Sequence, residues 1–316
     1  MSTDLTAAAA QIVAVADTTS ASRYAAAARA TSTVRAYAGD LASFTSWCEA
    51  RGLASADPAA VAAWVADLAD SGAAYATIQR RLTGLRVAAR LAGIAAADHP
   101  MVAETLAGVR RTIGTAQRRV APATRDVVEA LVETCDDTLT GLRDRALVLL
   151  GFAGAFRRSE LVALTVADLA DHPAGIVVTI RRSKTDQAAA GRQVPIPRGA
   201  PHVCPVRAVR AWLAAAGITD GPVLRSVSRH GHVGAGAISD RTVALVIQSR
   251  AAAAGLDPAL YAGHSLRAGL ATSAAAAGVA EADIMRTTGH ASAAMVRRYV
   301  REGNLFARSA AAAVLA

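Results

Sequence analysis

The sequence predicts a mainly α protein in two parts: an all-α helical bundle, then a mostly α domain with one small antiparallel β-sheet. Three observations predict this. Apolar residues recur at three- and four-residue steps from Thr31 onward, the period of a helix with one buried face. That period lapses in GTAQRRVAPAT, where a glycine, two adjacent arginines and a proline carry no apolar pattern. Further on, two β-branched stretches, GIVVTIRR (Gly175 to Arg182) and RQVPIP (Arg192 to Pro197), flank a loop and read as an antiparallel pair with a long connection. The expected organisation is a flexible alanine-rich lead over 1–20, a helical bundle over 21–113, a linker over 114–123 and a second domain over 124–316.

In the first part, Val34, Tyr37, Leu41, Phe44 and Trp47 mark one helix, with Gly52 placed to cap it. The next starts after Asp57-Pro58, with proline in its first turn, and carries Val61, Trp64, Val65 and Leu68. A third, from Tyr75 to about Ala92, puts Ile78, Leu82, Leu85 and Leu91 on one face and leaves Gln79, Arg80, Arg81 and Arg86 to the others. A fourth runs from Met101 to about Ile113. Beyond the linker, helices are expected near Arg125 to Cys135, through RDRALVLLGFAGAF, and from about Arg158. Everything after Pro205 reads as helical.

Composition narrows the function. The 316 residues hold 34 Lys plus Arg against 25 Asp plus Glu, a net charge of +9 with a pI near 10.4. Such a chain favours a polyanionic partner, nucleic acid or an anionic membrane surface. Only one basic residue is a lysine, Lys184. Alanine accounts for 81 residues, so the 53% hydrophobic content overstates the bulky core. Cys48, Cys135 and Cys204 are widely spaced and odd in number, supporting neither a disulfide framework nor a zinc site and suiting a reducing cytoplasm. The longest apolar runs, Ala146 to Phe156 and Ala268 to Ala280, fall short of the ~18 residues that span a bilayer, and no basic segment follows Met1, so neither a membrane role nor a signal peptide is expected. No phosphate-binding glycine loop and no tight carboxylate cluster is present, so chemistry without ATP, metal or other cofactor is expected.

Four segments stand out together. GAFRRSELVAL places Arg157, Arg158 and Glu160 where one helix meets the next, and Lys184 sits in the hairpin loop. H-S-L-R brings His264 and Arg267 onto one face of a helix start, because residues three apart are neighbours there. TTGHASAAMVRRYV carries His290 after a glycine and Tyr299 nine positions later. Each alone has an ordinary reading: a solvated helix start, an exposed loop lysine, a chance pair, a tyrosine with its ring packed and its hydroxyl wet.

In order, Arg157, Lys184, His264-x-x-Arg267, His290 and Tyr299 resemble the catalytic signature of the tyrosine recombinases, the phage-integrase family. Neighbouring residues match as well: R-x-S-E-L, H-S-L-R, and G-H before R-R-Y. The N-terminal helices, with T-x-x-x-Y, T-I-Q-R-R-L and W-C-E-A-R-G, are similar to the family's core-binding domain, and the order of elements after the linker is similar to the simple two-domain Cre and Xer type. Ala155 stands where the family has glycine and Arg158 where it has an apolar residue. Either arginine could enter the site; the offset to Ser159-Glu160 favours Arg157.

The resemblance implies a site-specific recombinase in which the Tyr299 hydroxyl attacks a DNA phosphodiester, leaving a 3′-phosphotyrosyl link and a free 5′-hydroxyl. The residue types suit that step. Negative charge builds on the non-bridging oxygens, and Arg157, Arg267 and His290 are donors able to stabilise it, the arginines with a bidentate fork. Tyrosine, with a pKa of ~10, is a weak nucleophile, and His264 is the candidate to accept or orient its proton. Lys184 fits the acid that protonates the leaving oxygen, since guanidinium does not readily release a proton. Glu160 is expected to support Arg157, with a first-turn carboxylate favoured by the helix dipole as the competing reading.

The implied partner is double-stranded DNA with inverted-repeat sites, bound by a homotetramer on paired sites, with accessory factors able to join. Two domains on a basic linker would clamp the duplex, and binding would weaken with salt. Arg241 aligns with a family arginine that enters the major groove; Gln79, Arg80, Arg81, Arg86 and Arg35 are the N-terminal counterparts. The final segment, with Leu305, Phe306 and Val314, is expected to pack into a neighbouring protomer or to cap its own domain. A type IB topoisomerase and a non-catalytic DNA-binding regulator are the rival readings.

Overall fold

The computed structural model of the protein describes residues 28–116, 120–183, 191–289 and 292–303. The chain folds as two compact units, Met1–Arg118 and Arg119–Ala316.

The described part of the first unit holds four α-helices: α1 (Thr31–Glu49), α2 (Pro58–Asp70), α3 (Tyr75–Leu91) and α4 (Pro100–Ile113). Asp57 caps α2, its carboxylate accepting from the Ala59 N–H at 2.8 Å, and proline opens the helix; it satisfies an orphan donor at the point where proline has none to satisfy. Leu41, Phe44, Trp64, Ile78, Leu82 and Leu85 form the core. Leu91, expected on the buried face of α3, is 54% exposed. The helical step from Leu85 reaches Ala88 and Ala89, which are buried instead, and Leu91 falls off the stripe. Trp47 is half-buried and donates its indole N–H to Asp67 at 2.9 Å.

The second unit is organised around α6 (Leu139–Ala153), whose Ala146 to Leu150 stretch is buried on every side. Around it lie α5 (Arg125–Glu133), α7 (Arg158–Ala163), α8 (Pro205–Ala215), α9 (Asp240–Ala253) and α10 (Ser265–Ala276), while α11 (Glu281–Thr288) and α12 (Ala293–Gly303) pack on α10. An antiparallel sheet runs β1 (Leu169–His172), β2 (Gly175–Ile180), β3 (Arg192–Pro197), with Val178 opposite Val194 and Ile180 opposite Arg192. Its inner face alternates Ile176, Val178, Ile180 with Val194, Ile196, the period-2 burial of a sheet with one dry face.

Two features differ from expectation. The β-branched pair is joined by the edge strand β1. The chain after Pro205 is not wholly helical, because β4 (Arg225–Val227) and β5 (Val233–Ala237) form a separate two-stranded hairpin. Both misses have one cause: LADH, RSV and VGAGA are three to five residues long and lack a β-branched alternation, so local propensity does not mark them. Pairing with neighbours does.

Cys48, Cys135 and Cys204 are free and buried. Among the described residues no helix is long and apolar enough to cross a membrane, and no group of three His, Cys, Asp or Glu could hold a metal.

The start of the second unit is tied to α10. The Ala121 N–H donates to the Leu260 carbonyl at 2.7 Å and the Ala123 N–H to the Ser265 carbonyl at 2.9 Å. A Cβ at Gly269 would lie 1.7 Å from the Ala123 carbonyl oxygen. Glycine there lets this segment lie close against the helix that begins at H-S-L-R.

Candidate active site

The site forms where the C-terminal ends of α6 and α11 meet the starts of α7 and α10. After α6 the chain turns sharply through Ala155, whose φ of +47° makes it the one non-glycine residue in the left-handed region among those described. For an L-residue that conformation costs about 1–2 kcal/mol. The turn delivers Arg157 to the N-cap of α7, and the Ala155 carbonyl accepts from Nη1 of Arg267 at 2.8 Å.

Glu160, one turn into α7, is 3% exposed. Its Oε2 accepts the Arg157 backbone N–H at 3.0 Å and its Oε1 accepts Nη1 of the same arginine at 2.6 Å. The carboxylate thus closes the helix N-terminus and orients the guanidinium. Arg158 turns elsewhere, half-exposed and 3.7 Å from Asp240. Of the two adjacent arginines, it is Arg157 that faces Glu160 and Arg267.

Arg267 is 1% exposed. Burial first, then repulsion from Arg157, pulls its pKa down to about 10. Its Nη2 is buried and has no hydrogen-bond partner among the described residues. A buried donor left unpaired is costly, and a guanidinium held this way is primed for an anion.

His264, just before α10, lies 2.9 Å through Nε2 from the hydroxyl of Tyr299 on α12. The two helices pack through Ala271, Ala275 and Val296, with Ile284 of α11 and the half-buried Tyr299 ring against them. The tyrosine is therefore both a packed ring and a presented hydroxyl. His264 is solvent-exposed as a residue, yet partial desolvation of its ring, followed by repulsion from Arg267, Arg157 and Arg158, holds its pKa below the ordinary 6.5. The three charges are the firmer cause, since an exposed ring is only partly desolvated. Near neutral pH the imidazole is therefore neutral, and in the tautomer with its hydrogen on Nδ1 its Nε2 can accept a proton.

α11 ends at Gly289 in the left-handed conformation, φ +64°, with its N–H returned to the Met285 carbonyl at 2.7 Å. The Gly289 carbonyl faces Nη2 of Arg157 at 3.5 Å. His290 follows directly, but His290, Lys184 and the terminal Leu305, Phe306 and Val314 lie outside the described residues.

One residue at this site was not expected from the sequence. Arg192, at the start of β3, donates from Nη1 to the Thr287 carbonyl at 2.8 Å and from Nη2 to Oε2 of Glu160 at 3.3 Å. A signal was present: alternation from Val194 and Ile196 assigns Arg192 to the inward face of the sheet, where an unpaired arginine is not tolerated. Three guanidinium groups, Arg157, Arg192 and Arg267, thereby surround one carboxylate.

Arg241 is exposed at the start of α9. In the first unit, Gln79 and Arg35 are exposed on α3 and α1. Arg80 pairs through both Nη atoms with the buried Asp40, Nη2 at 2.9 Å, and Arg81 lies 3.9 Å from the same carboxylate. Arg86 donates to the Ala97 carbonyl at 3.1 Å and pairs with Asp98 at 3.1 Å. Arg80 and Arg86 are held by hydrogen-bond partners rather than free on a solvated face, whereas Arg81 meets Asp40 only at ion-pair distance.

Comparison with known proteins agrees with the geometry. The phage integrase family model matches residues 123–304, and the phage integrase N-terminal SAM-like domain matches residues 17–92. The chain is 40% identical to an integrase/recombinase xerD homolog of Selenomonas ruminantium, over 88% of this chain and 84% of that one. It is 26% identical to the recombinase cre of Escherichia phage P1, over 82% of this chain and 80% of that one. Among solved structures, the lambda integrase bound to DNA superposes with a TM-score of 0.64 at 18% identity, covering 95% of this chain and 96% of that one.

Proposed function

The chain belongs to the phage integrase family of site-specific tyrosine recombinases, and from that premise we propose how its own residues divide the work of breaking and rejoining DNA strands. Tyr299 is the nucleophile. Its Oη attacks the scissile phosphorus while its proton passes to Nε2 of His264, and the bond from phosphorus to the 5′-oxygen breaks. The products are a 3′-phosphotyrosyl ester and a 5′-hydroxyl, the latter taking its proton from Lys184. Religation runs the same steps backwards, and the ester keeps the phosphodiester free energy, so no ATP is needed.

The observation that carries this reading is the 2.9 Å contact between the Tyr299 hydroxyl and His264, beside a buried arginine cluster holding more positive charge than its one carboxylate can neutralise. Arg157 and Arg267 bind the non-bridging oxygens, where their charge is worth more as the transition state gains negative charge in a water-poor site. Glu160 orients Arg157. His290 adds a further donor at the same phosphate.

The functional domains are assigned as a core-binding domain over 21–113 and a catalytic domain over 124–316, joined by 114–123. The protein works in the cytoplasm on inverted-repeat sites as a homotetramer, with Arg241, Gln79, Arg80, Arg81, Arg86 and Arg35 contacting DNA and the final segment, with Leu305, Phe306 and Val314, linking protomers. Incubation with a nicked duplex of the site tests the chemistry. A covalent protein–DNA adduct that disappears in Tyr299→Phe is the expected result; no adduct on any site bound at low salt would instead support a non-catalytic DNA-binding regulator.

A further inference from the structure

We propose that Arg192 is a positioning residue of the strand-transfer site, acting through Glu160 and the end of α11 to hold Arg157 in its phosphate-binding pose. The inference rests on the reading of Arg157 as a phosphate ligand. Arg192 is four-fifths buried and connects three segments distant in sequence: β3, which carries it, α7 through Glu160, and α11 through the Thr287 carbonyl. Its guanidinium lies against Gly289, where a Cβ would come within 3.1 Å of Cζ and Nε. So α11 ends in a glycine for two reasons, its left-handed φ and the arginine lying on it.

The effect on Arg157 follows from hydrogen-bond arithmetic. A carboxylate facing one arginine favours a bidentate fork that ties up two adjacent N–H donors of the guanidinium. Here Oε2 of Glu160 is occupied by the Arg157 backbone N–H and by Arg192, leaving Oε1 as the acceptor nearest to the Arg157 side chain. Arg157 is held through Nη1, and its Nη2 edge is turned towards Gly289. Sharing the carboxylate between two cations also leaves more of the Arg157 charge for a phosphate. Arg192 touches no reacting atom in this scheme.

The test compares Arg192→Gln and Arg192→Lys with wild type on a nicked duplex of the sequence that the wild-type protein selects from a randomised pool. For Arg192→Gln, duplex affinity should stay within about threefold while single-turnover adduct formation at saturating protein falls about 10- to 100-fold, the scale of a misplaced transition-state ligand. Arg192→Lys, which keeps the charge and one of the two contacts, should recover part of the loss. In a Glu160→Gln background, Arg192→Gln should cost little more, because residues acting through one another are not additive. In the free protein, hydrogen exchange at Gly289 should quicken in Arg192→Gln.

Unchanged adduct formation, multiplicative losses with Glu160→Gln, or unchanged exchange at Gly289 would each overturn the proposal. Should Arg192→Gln fail to fold, Arg192→Lys decides by the same split between binding and cleavage. If the wild type itself gives no adduct, the reading of Arg157 has failed, and the exchange measurement still judges the hold of Arg192 on α11.

Discussion

The hydroxyl of Tyr299 and Nε2 of His264 are hydrogen-bonded at 2.9 Å across the packing of α12 on α10. A single contact thus sets the hydroxyl proposed as nucleophile beside the imidazole proposed to take its proton. Because small residues, Ala271, Ala275 and Val296, make that interface, the helices approach closely enough for a tyrosine and a histidine to meet.

Replacement of either partner should separate binding from chemistry. Tyr299→Phe retains the packed ring and should bind DNA as wild type with no covalent adduct. His264→Gln should form adduct about 10²- to 10⁴-fold more slowly, the usual contribution of a positioned base, with affinity little changed. Gel shift and denaturing electrophoresis on the same samples separate the two quantities.

His264 also sets an expectation for pH. Its pKa is held below 6.5, so the acid limb of adduct formation, measured below saturation where the free enzyme's groups are reported, should fall below pH 6.5. A limb at or above 6.5 would mean another group controls the step. Linkage gives the matching sign for stability. Between the lowered folded value and 6.5 the unfolded chain binds more protons, so stability falls as pH drops through that window and is restored above it.

Lys184→Arg keeps the positive charge and removes the readily released proton. DNA binding and its salt dependence should persist while cleavage falls about 10²-fold or more. Cleavage at the wild-type rate would remove Lys184 from the general-acid role.

The strained turn before Arg157 makes a fourth test. Ala155→Gly relieves the left-handed penalty of about 1 kcal/mol but adds about 0.4–1 kcal/mol of unfolded-state entropy, so its melting temperature should stay near that of wild type. Ala155→Val puts a β-branched residue at positive φ in a site with no exposure. It should cost about 2–4 kcal/mol and displace the carbonyl that holds Arg267. Thermal unfolding with the adduct assay reads both effects.

Buried Asp40 offers a fifth. Asp40→Asn removes the charge that orients Arg80 and Arg81, and because Arg80 is half-exposed and can rehydrate, the loss of stability should be modest, about 1–2 kcal/mol. If Arg80 contacts DNA from a fixed pose, affinity should drop more than the unaltered salt slope implies. Denaturant unfolding and salt titrations of binding measure the two effects.

The chain alone makes its helical periods, its β2–β3 pair and the residue types for phosphoryl transfer legible, because periodicity and short motifs are local properties of neighbouring residues. H-S-L-R and R-x-S-E-L can be read without coordinates for the same reason. The edge strand β1, the β4–β5 hairpin and the exposure of Leu91 were not legible, since pairing and burial there depend on partners distant in sequence. The same limit applies at the site. Local spacing favours Arg157 over Arg158 only through its offset to Glu160, and it is the turn at Ala155 with the carboxylate of Glu160 that separates them. The alternation from Val194 and Ile196 turns Arg192 inward, but nothing near it in sequence says which acceptors it meets. Its role is decided where β3, α7 and α11 converge, because a buried guanidinium must find acceptors, and only the folded chain brings the Thr287 carbonyl and Glu160 within its reach.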